Sequence, residues 1–288
     1  MSAVLLGQAL VGGLLTGAVY SLMAVGLSLI FGVMRVTNFA HGELMMVGMY
    51  VTVFASAASG LDPYLTLPAA AVSLFVVGYL LQRVLVGRVL EMPEEIQVLL
   101  LVGVALVLQN GALFLFGPNH RGVQTPLALA ALPLGPLTVD VARLVAGGLA
   151  VALTGALALF LGRSRLGTLL RAAADSRDGA RIVGADVNRL YGVAYGLGAA
   201  CAGTAGALIV PFFEVAPDVA LPFTLTSFVV VILGGMGSLA GAFVGGLVVG
   251  VAEAIGAVVF APSLKPVVAF GLLVLILVVR PTGLLGRA

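Results

Sequence analysis

Apolar residues fall in long runs along this chain, separated by short breaks rich in proline, glycine or charge. A helix needs about 20 mostly apolar residues to cross the hydrocarbon core of a bilayer. Runs of that length predict spans at 8–33, 42–59, 67–87, 96–116, 141–162, 191–211, 223–234, 239–260 and 264–280. The breaks are "SGLDPYLTLP" at 59–68, "EMPEE" at 91–95, "GPNHRGVQTPLALAALPLGP" at 117–136, "PFFEVAPDVALPF" at 211–223 and "APSLKP" at 261–266. The stretch 223–239 is short and ends in "GGMGS", so the pattern supports eight to ten transmembrane helices.

Composition sharpens this into a class. The 288 residues are 61% hydrophobic and 9% charged, with a mean hydropathy of +1.21. A soluble domain carries about 25% charged residues, so this chain cannot cover a water-facing surface. Unbroken apolar runs exclude a β-barrel, whose strands alternate apolar and polar over about ten residues. The expectation is an all-α integral membrane protein forming one transmembrane domain over 1–288. A net charge of +2 gives no footprint for nucleic acid. The single cysteine, Cys201, lies in a Gly/Ala segment and reads as a small packing residue. The N-terminal "MSAVLLGQALVGGLL" has no basic region of the kind a signal peptide carries, and reads as the start of a retained span.

The arginines set an orientation. The 163–190 connection holds Arg163, Arg165, Arg171, Arg177, Arg181 and Arg189, six of the fourteen basic residues. Arg83 and Arg88 flank the 88–95 connection, and Arg280 and Arg287 close the chain. The 59–66 and 211–222 connections carry Asp62, Glu214 and Asp218 without Lys or Arg. Alternating the spans puts the arginine-rich connections on one side, the cytoplasmic one by the positive-inside rule. The N-terminus is then outside and the C-terminus inside.

The connection "RSRLGTLLRAAADSRDGARIVGADVNRL" has a short apolar face, Leu169, Leu170, Ala173 and Ala174, with Arg171, Asp175 and Arg181 off it. Gly179 and Gly184 are expected to interrupt it into one or two helices at the membrane surface. It reads either as a solvated loop or as a docking helix whose mixed charges fix its register on a cytoplasmic partner.

Two spans carry glycine-rich breaks, "IFGVMRVTNFAHGELMMVGMY" and "VVVILGGMGSLAGAFVGGLVVG", one in each half of the chain. Interrupted hydrophobic segments at corresponding positions point to a transporter's central pathway. The rival reading is close helix packing through spaced glycines. The first break supplies Asn38, His41, Gly42 and Glu43; the second supplies Gly234, Gly235, Gly237 and Ser238. Asn38 is a good N-cap type for a helix starting near 39–42, and Glu43 would lie in its first turn, where the helix dipole favours a carboxylate. Capping and pathway lining are both open for these two. Metal binding is not expected, because His120 is in a loop on the other side. Glu253 is an acid within a span, where such groups face a bundle interior or a cavity; Gln109 and Asn110 read as interhelical hydrogen-bonding residues.

The stretch "GLSLIFGVMRVTNFAHGELMMVGMY" resembles the signature of permease subunits of branched-chain amino acid ABC importers. "LGGMGSLAGAFVGG" resembles the second-half motif of that family, and "RPTGLLG" resembles its C-terminal ending. The resemblance implies a type II importer-like fold with inverted repeats and broken central helices. It implies a bacterial inner-membrane subunit embedded in lipid, paired with a second, related permease, two cytoplasmic ATPases and a periplasmic solute-binding protein. It places Asn38, His41, Gly42, Glu43, Gly234, Gly235, Gly237, Ser238 and Glu253 by the translocation pathway. The segment 171–186 falls where the family carries its ATPase-coupling helix, giving Arg171, Asp175, Gly179, Arg181 and Gly184 that role. No GxxxxGK[ST] pattern occurs in the chain, so ATP and Mg belong to partner subunits and this chain is not an enzyme. The cargo implied is branched-chain or related hydrophobic amino acids. Relatives with the same signature also serve urea, short amides and some aromatic acids, and a permease or passive channel for such solutes is the alternative.

Overall fold

The structure, a computed structural model, describes residues 3–123, 125–182 and 184–286. Arg287, part of the charge argument, lies outside them. Among the described residues eight helices are long and apolar enough to cross a membrane, and a ninth, Ala220–Gly234, is shorter. In chain order they are α1 (Ala3–Met34), α2 (His41–Ser59), α3 (Leu67–Leu81), α4 (Glu94–Phe116), α5 (Val141–Arg163), α6 (Arg165–Asp175), α7 (Arg177–Ile182), α8 (Val187–Ile209), α9 (Ala220–Gly234), α10 (Leu239–Val259) and α11 (Lys265–Val279). Helix α3 continues through a π turn, Gln82–Val86, to Val89.

Helix ends follow local chemistry. Gly60 ends α2 in the left-handed region (φ 70°) and donates its N–H to Ser56 O at 2.8 Å. Ser164, Asp186 and Ser238 start α6, α8 and α10 by accepting the amides of Gly167, Arg189 and Gly241. The 117–136 break holds a helical turn and the first strand of a hairpin. Strand β1 (Ala131–Leu134) pairs antiparallel with β2 (Leu137–Asp140) around Gly135 at φ 63°. The side chain of Gln8 on α1 bonds to Thr138 and secures that hairpin.

Helix α8 is the central column, buried along almost its whole length and touching α1, α2 and α3. The contacts are backbone-close because glycines face one another. A Cβ on Gly26 of α1 would lie 2.6 Å from Gly198 O of α8, and α1 meets α10 in the same way, a Cβ on Gly17 lying 2.7 Å from Gly246 O. With no hydrophobic drive between helices in lipid, such approaches provide the packing that holds a bundle together. Helices α4 and α11 are peripheral, and Leu99, Val107, Phe114, Val274 and Val278 on them are exposed on the outside of the bundle.

The connections sort to two ends. Arg177 stands 3.9 Å from Glu91, so the 88–95 and 163–190 connections share one end. At the other end Tyr64 donates to Ala142 O at 2.6 Å, and Arg121 bridges Val215 in antiparallel fashion.

Candidate functional site

The first break is a length of extended chain inside the bundle. Helix α1 stops at Met34, Arg35 takes a left-handed turn (φ 56°), and residues 35–40 double back along α1. His41 consequently donates from Nε2 to the carbonyl of Met23, 3.0 Å away, rather than sitting beside Met34. Val36, Asn38 and Ala40 are all buried. Non-helical backbone at membrane depth survives only where protein or a cavity satisfies it; here Phe31 O takes the Arg35 amide, and Asn38 takes that of Ala40.

Asn38 does not cap α2 as its type and position suggested. The helix begins at His41, and Asn38 Oδ1 accepts the amide of Ala40 at 3.1 Å, forming the turn before it. Gly42 donates its N–H to Thr224 Oγ1 at 3.0 Å. A Cβ on Gly42 would collide with that hydroxyl and with Ala220 O. Glu43 is 5% exposed, in the first turn of α2. Asn38 Nδ2, His41 Nδ1 and Glu43 Oε2 have no hydrogen-bond partner among the described residues. Buried polar atoms without partners are costly, about 1–3 kcal/mol each, and three meet at this one break.

The second break joins α9 to α10. Gly235 (φ 101°) and Gly237 (φ 81°) both occupy the left-handed region, and Ser238 caps α10. Gly234 lies so close to Gly241 that neither tolerates a Cβ. The C-terminal "PTGLLG" closes over this turn: Leu284 and Leu285 donate to the carbonyls of Leu233 and Gly234 at 2.8 and 3.0 Å. Those carbonyls end α9 and would otherwise lack partners.

The breaks approach each other at one point. A Cβ on Gly32, near the end of α1, would lie 3.2 Å from Gly237 Cα. Otherwise they face different surroundings. Asn38, His41, Gly42 and Glu43 pack between α1 and the first turn of α9. Gly237 and Ser238 border a cavity of about 580 Å³ that is also lined by Arg171 and Asp175 of α6. Gly234 and Gly235 lie under the C-terminal segment, outside that cavity. Glu253 accepts from Tyr20 Oη at 3.2 Å. Tyr20 meets Phe223 edge-on at 6.3 Å, and the next residue, Thr224, holds Gly42. Glu253 thus connects to the first break through the first turn of α9. Sequence reasoning singled out neither Thr224 nor Tyr20; the polar Thr224 in an apolar segment was the available signal.

In the 163–190 connection the helices part at Ser176, not at Gly179 as expected, and Ser176 Oγ accepts the Gly179 amide at 3.0 Å to start α7. Gly184 (φ 81°) ends the segment. Leu170 and Ala173 are buried, and Arg171 donates to Leu161 O at 2.6 Å, fastening α6 to the end of α5. Gly179, Arg181 and Asp175 are exposed, with Arg181 3.6 Å from Asp178.

A multi-span helical bundle with a backbone break in each half, both bordered by glycine, is the architecture of a membrane permease. The family described as "branched-chain amino acid transport system / permease component" matches residues 9–277, and the chain belongs to that family. It is 34% identical over 97% of its length, and 95% of the relative's, to the high-affinity branched-chain amino acid transport system permease protein BraD of Pseudomonas aeruginosa. It is 31% identical, over 97% of this chain and 95% of the relative, to the permease protein LivH of Escherichia coli strain K12, described in the same words. A probable branched-chain amino acid transport permease protein LivH of Methanocaldococcus jannaschii is 28% identical over 85% of this chain and 79% of its own. No solved structure matches.

Proposed function

We propose that this chain is the translocation subunit of an ATP-driven importer that carries branched-chain or related hydrophobic amino acids into the cytoplasm. The observation that carries this reading is family membership spanning residues 9–277 together with the relatives' shared description. The partners proposed are a second, related permease, two cytoplasmic ATPases that hold ATP and Mg, and a periplasmic binding protein that supplies affinity. The subunit sits in the inner membrane with its N-terminus outside, on the strength of the arginine distribution.

In this mechanism the exposed face of α6 and α7 receives the ATPases. Because Arg171 fastens α6 to Leu161 and α6 shares a cavity wall with Gly237 and Ser238, a push on α6 reaches the second break. The second break touches Gly32 of α1, and α1 holds the first break through Met23. Opening the first break would release Asn38, His41 and Glu43 from burial and give their unpaired atoms water or solute as partners.

The test is initial-rate uptake of labelled leucine into proteoliposomes holding the assembled complex. Uptake is expected to require both the binding protein and ATP; flux that persists without ATP would mean a passive channel instead. Gly179→Leu and Arg181→Glu alter exposed positions and should leave this chain folded while lowering uptake on the order of tenfold through lost docking. Wild-type rates in both variants would count against α7 as a docking element. Glu253→Gln keeps an acceptor for Tyr20, so uptake should stay within about fivefold of wild type, the scale of exchanging a charged for a neutral acceptor. Complete loss of uptake in normally assembled Glu253→Gln complex would favour a proton-coupled carrier.

A further inference from the structure

The cavity beside the second break is chemically unlike the rest of this chain. It is walled by the end of α1, by α6 and by the start of α10. Its volume of about 580 Å³ falls in the range of small-molecule sites, about 300–1,000 Å³. Arg35 and Arg171 both line it, and neither has a carboxylate partner among the described residues. The first turn of α10, Leu239 and Ala240, also lines it, and amides at that position have no acceptor within their helix. Asp175, exposed and without an ion-pair partner among the described residues, lies one turn beyond Arg171 on the same helix, in the last turn of α6, so a positive and a negative group line the cavity side by side, as the two charges on one α-carbon require. Ser28 lines the cavity too; it is 0% exposed and its Oγ has no hydrogen-bond partner among the described residues. Leu29, Val33, Leu170 and Leu285 add apolar lining to the same cavity.

We infer that this cavity is a cytoplasm-facing site for a free α-amino acid, through which imported solute slows its own uptake. The inference rests on the proposed function, since it takes the cargo to be an amino acid and this end of the molecule to be cytoplasmic. A carboxylate is matched by Arg35, Arg171 and the positive end of α10, where helix amides and dipole both favour an anion. An ammonium is matched by Asp175 and the negative end of α6. The apolar lining suits an aliphatic side chain. An occupant would touch three elements that the import cycle must move against one another: the α1 end bearing Gly32, the segment bearing Arg171, and Ser238 at the second break. Binding that favours their present arrangement holds it in proportion to its preference for that state.

The experiment compares ATP-driven uptake into proteoliposomes of the complete importer, empty or preloaded with millimolar unlabelled leucine. Preloading is expected to lower the initial rate about tenfold, within the usual range of coupling between two sites. Because Arg35 begins the first break, Arg35→Gln is read as the ratio of its own preloaded to empty-vesicle rates, and that ratio should lose the inhibition by preloaded leucine. Preloading with 4-methylpentanoate, which lacks the ammonium, or with phosphoethanolamine, a lipid headgroup, should not inhibit. The inference is overturned if preloaded wild-type vesicles run at the empty-vesicle rate, if Arg35→Gln is inhibited as wild type is, or if either control solute inhibits as leucine does. Where Arg35→Gln stops uptake in empty vesicles, equilibrium dialysis of labelled leucine against the purified complex decides, and wild-type binding retained by the variant overturns the inference. Should empty wild-type vesicles import no leucine, the proposed function fails by itself. Equilibrium dialysis of labelled leucine against the purified complex then decides the site: binding abolished by Arg35→Gln upholds it, and no binding removes it.

Discussion

Gly42→Leu is expected to abolish uptake, and Gly42→Ala to lower it by about tenfold or more. The Cα of Gly42 faces the start of α9 so closely that a single added carbon meets Ala220 O and the Thr224 side chain. Both obstacles resist displacement: one is backbone, and the other holds the Gly42 amide at 3.0 Å. Overpacking a well-filled site costs about 1–3 kcal/mol, and each 1.4 kcal/mol is a factor of about ten in a population. A leucine must push α2 off α9 altogether, which exposes the already unpaired Glu43 and His41 atoms to a rearranged interior. Thr224→Val separates the causes. It keeps the volume and removes the acceptor for Gly42 together with the hydroxyl's own bond to Ala220 O, so it should cost about 1–3 kcal/mol, chiefly for one unsatisfied buried amide. Gly111→Ala on α4 is the neutral control, because nothing lies within 4 Å of its added carbon. The measurement is initial uptake rate normalised to complex in the membrane. Gly42→Leu complex that assembles and transports at the wild-type rate would remove the first break from the mechanism.

Much of this architecture is legible in the sequence because lipid simplifies the code. A span announces itself by length and apolarity alone, and the predicted 96–116 and 141–162 runs lie within α4 and α5. The breaks were legible for the same reason: Asn38, His41 and Glu43 have no place in a plain span. What the sequence could not state was where each break turns. Asn38 is a natural cap, yet its carboxamide satisfies Ala40 and the helix starts later, because the extended chain must first return to the level of Met23. Likewise Ser176, a modest residue beside Gly179, ends α6 because its hydroxyl can start α7. The hairpin at 131–140 was hidden by its shortness and by Pro133. Tyr20 and Thr224 owe their interest to partners 233 and 182 residues away, Glu253 and Gly42. No local pattern carries such a pairing.

The C-terminal "PTGLLG" illustrates the same point, and Gly283→Val should disable the protein by unfastening the second break. Gly283 has φ 79°, and a Cβ there would lie 2.6 Å from Gly235 N and 2.7 Å from Ile232 O. A left-handed conformation costs an L-residue roughly 1–2 kcal/mol before any collision, and valine, branched at Cβ, tolerates it poorly. The collision then falls on backbone, which cannot rotate away. Moving the segment breaks the Leu284 and Leu285 bonds to Leu233 and Gly234, each worth about 0.5–1.5 kcal/mol and leaving carbonyls of α9 unsatisfied. Gly235 cannot compensate, since it is itself at φ 101° and lies against Gly286. The expected outcome is reduced thermal stability of the purified complex, uptake lowered by at least about tenfold, and faster hydrogen exchange at the Leu284 and Leu285 amides. Gly271→Ala, on the exposed α11 with open space around it, should change none of these. Because the segment closes over the turn that presents Gly237 to Gly32, the exchange measurement discriminates between two causes of lost transport. Fast exchange confined to 284–285 and the 233–238 turn locates the fault at the break. Protection lost throughout α8 as well would mean the bundle, not the break, depends on Gly283, and would remove the C-terminal segment from any specific part in coupling.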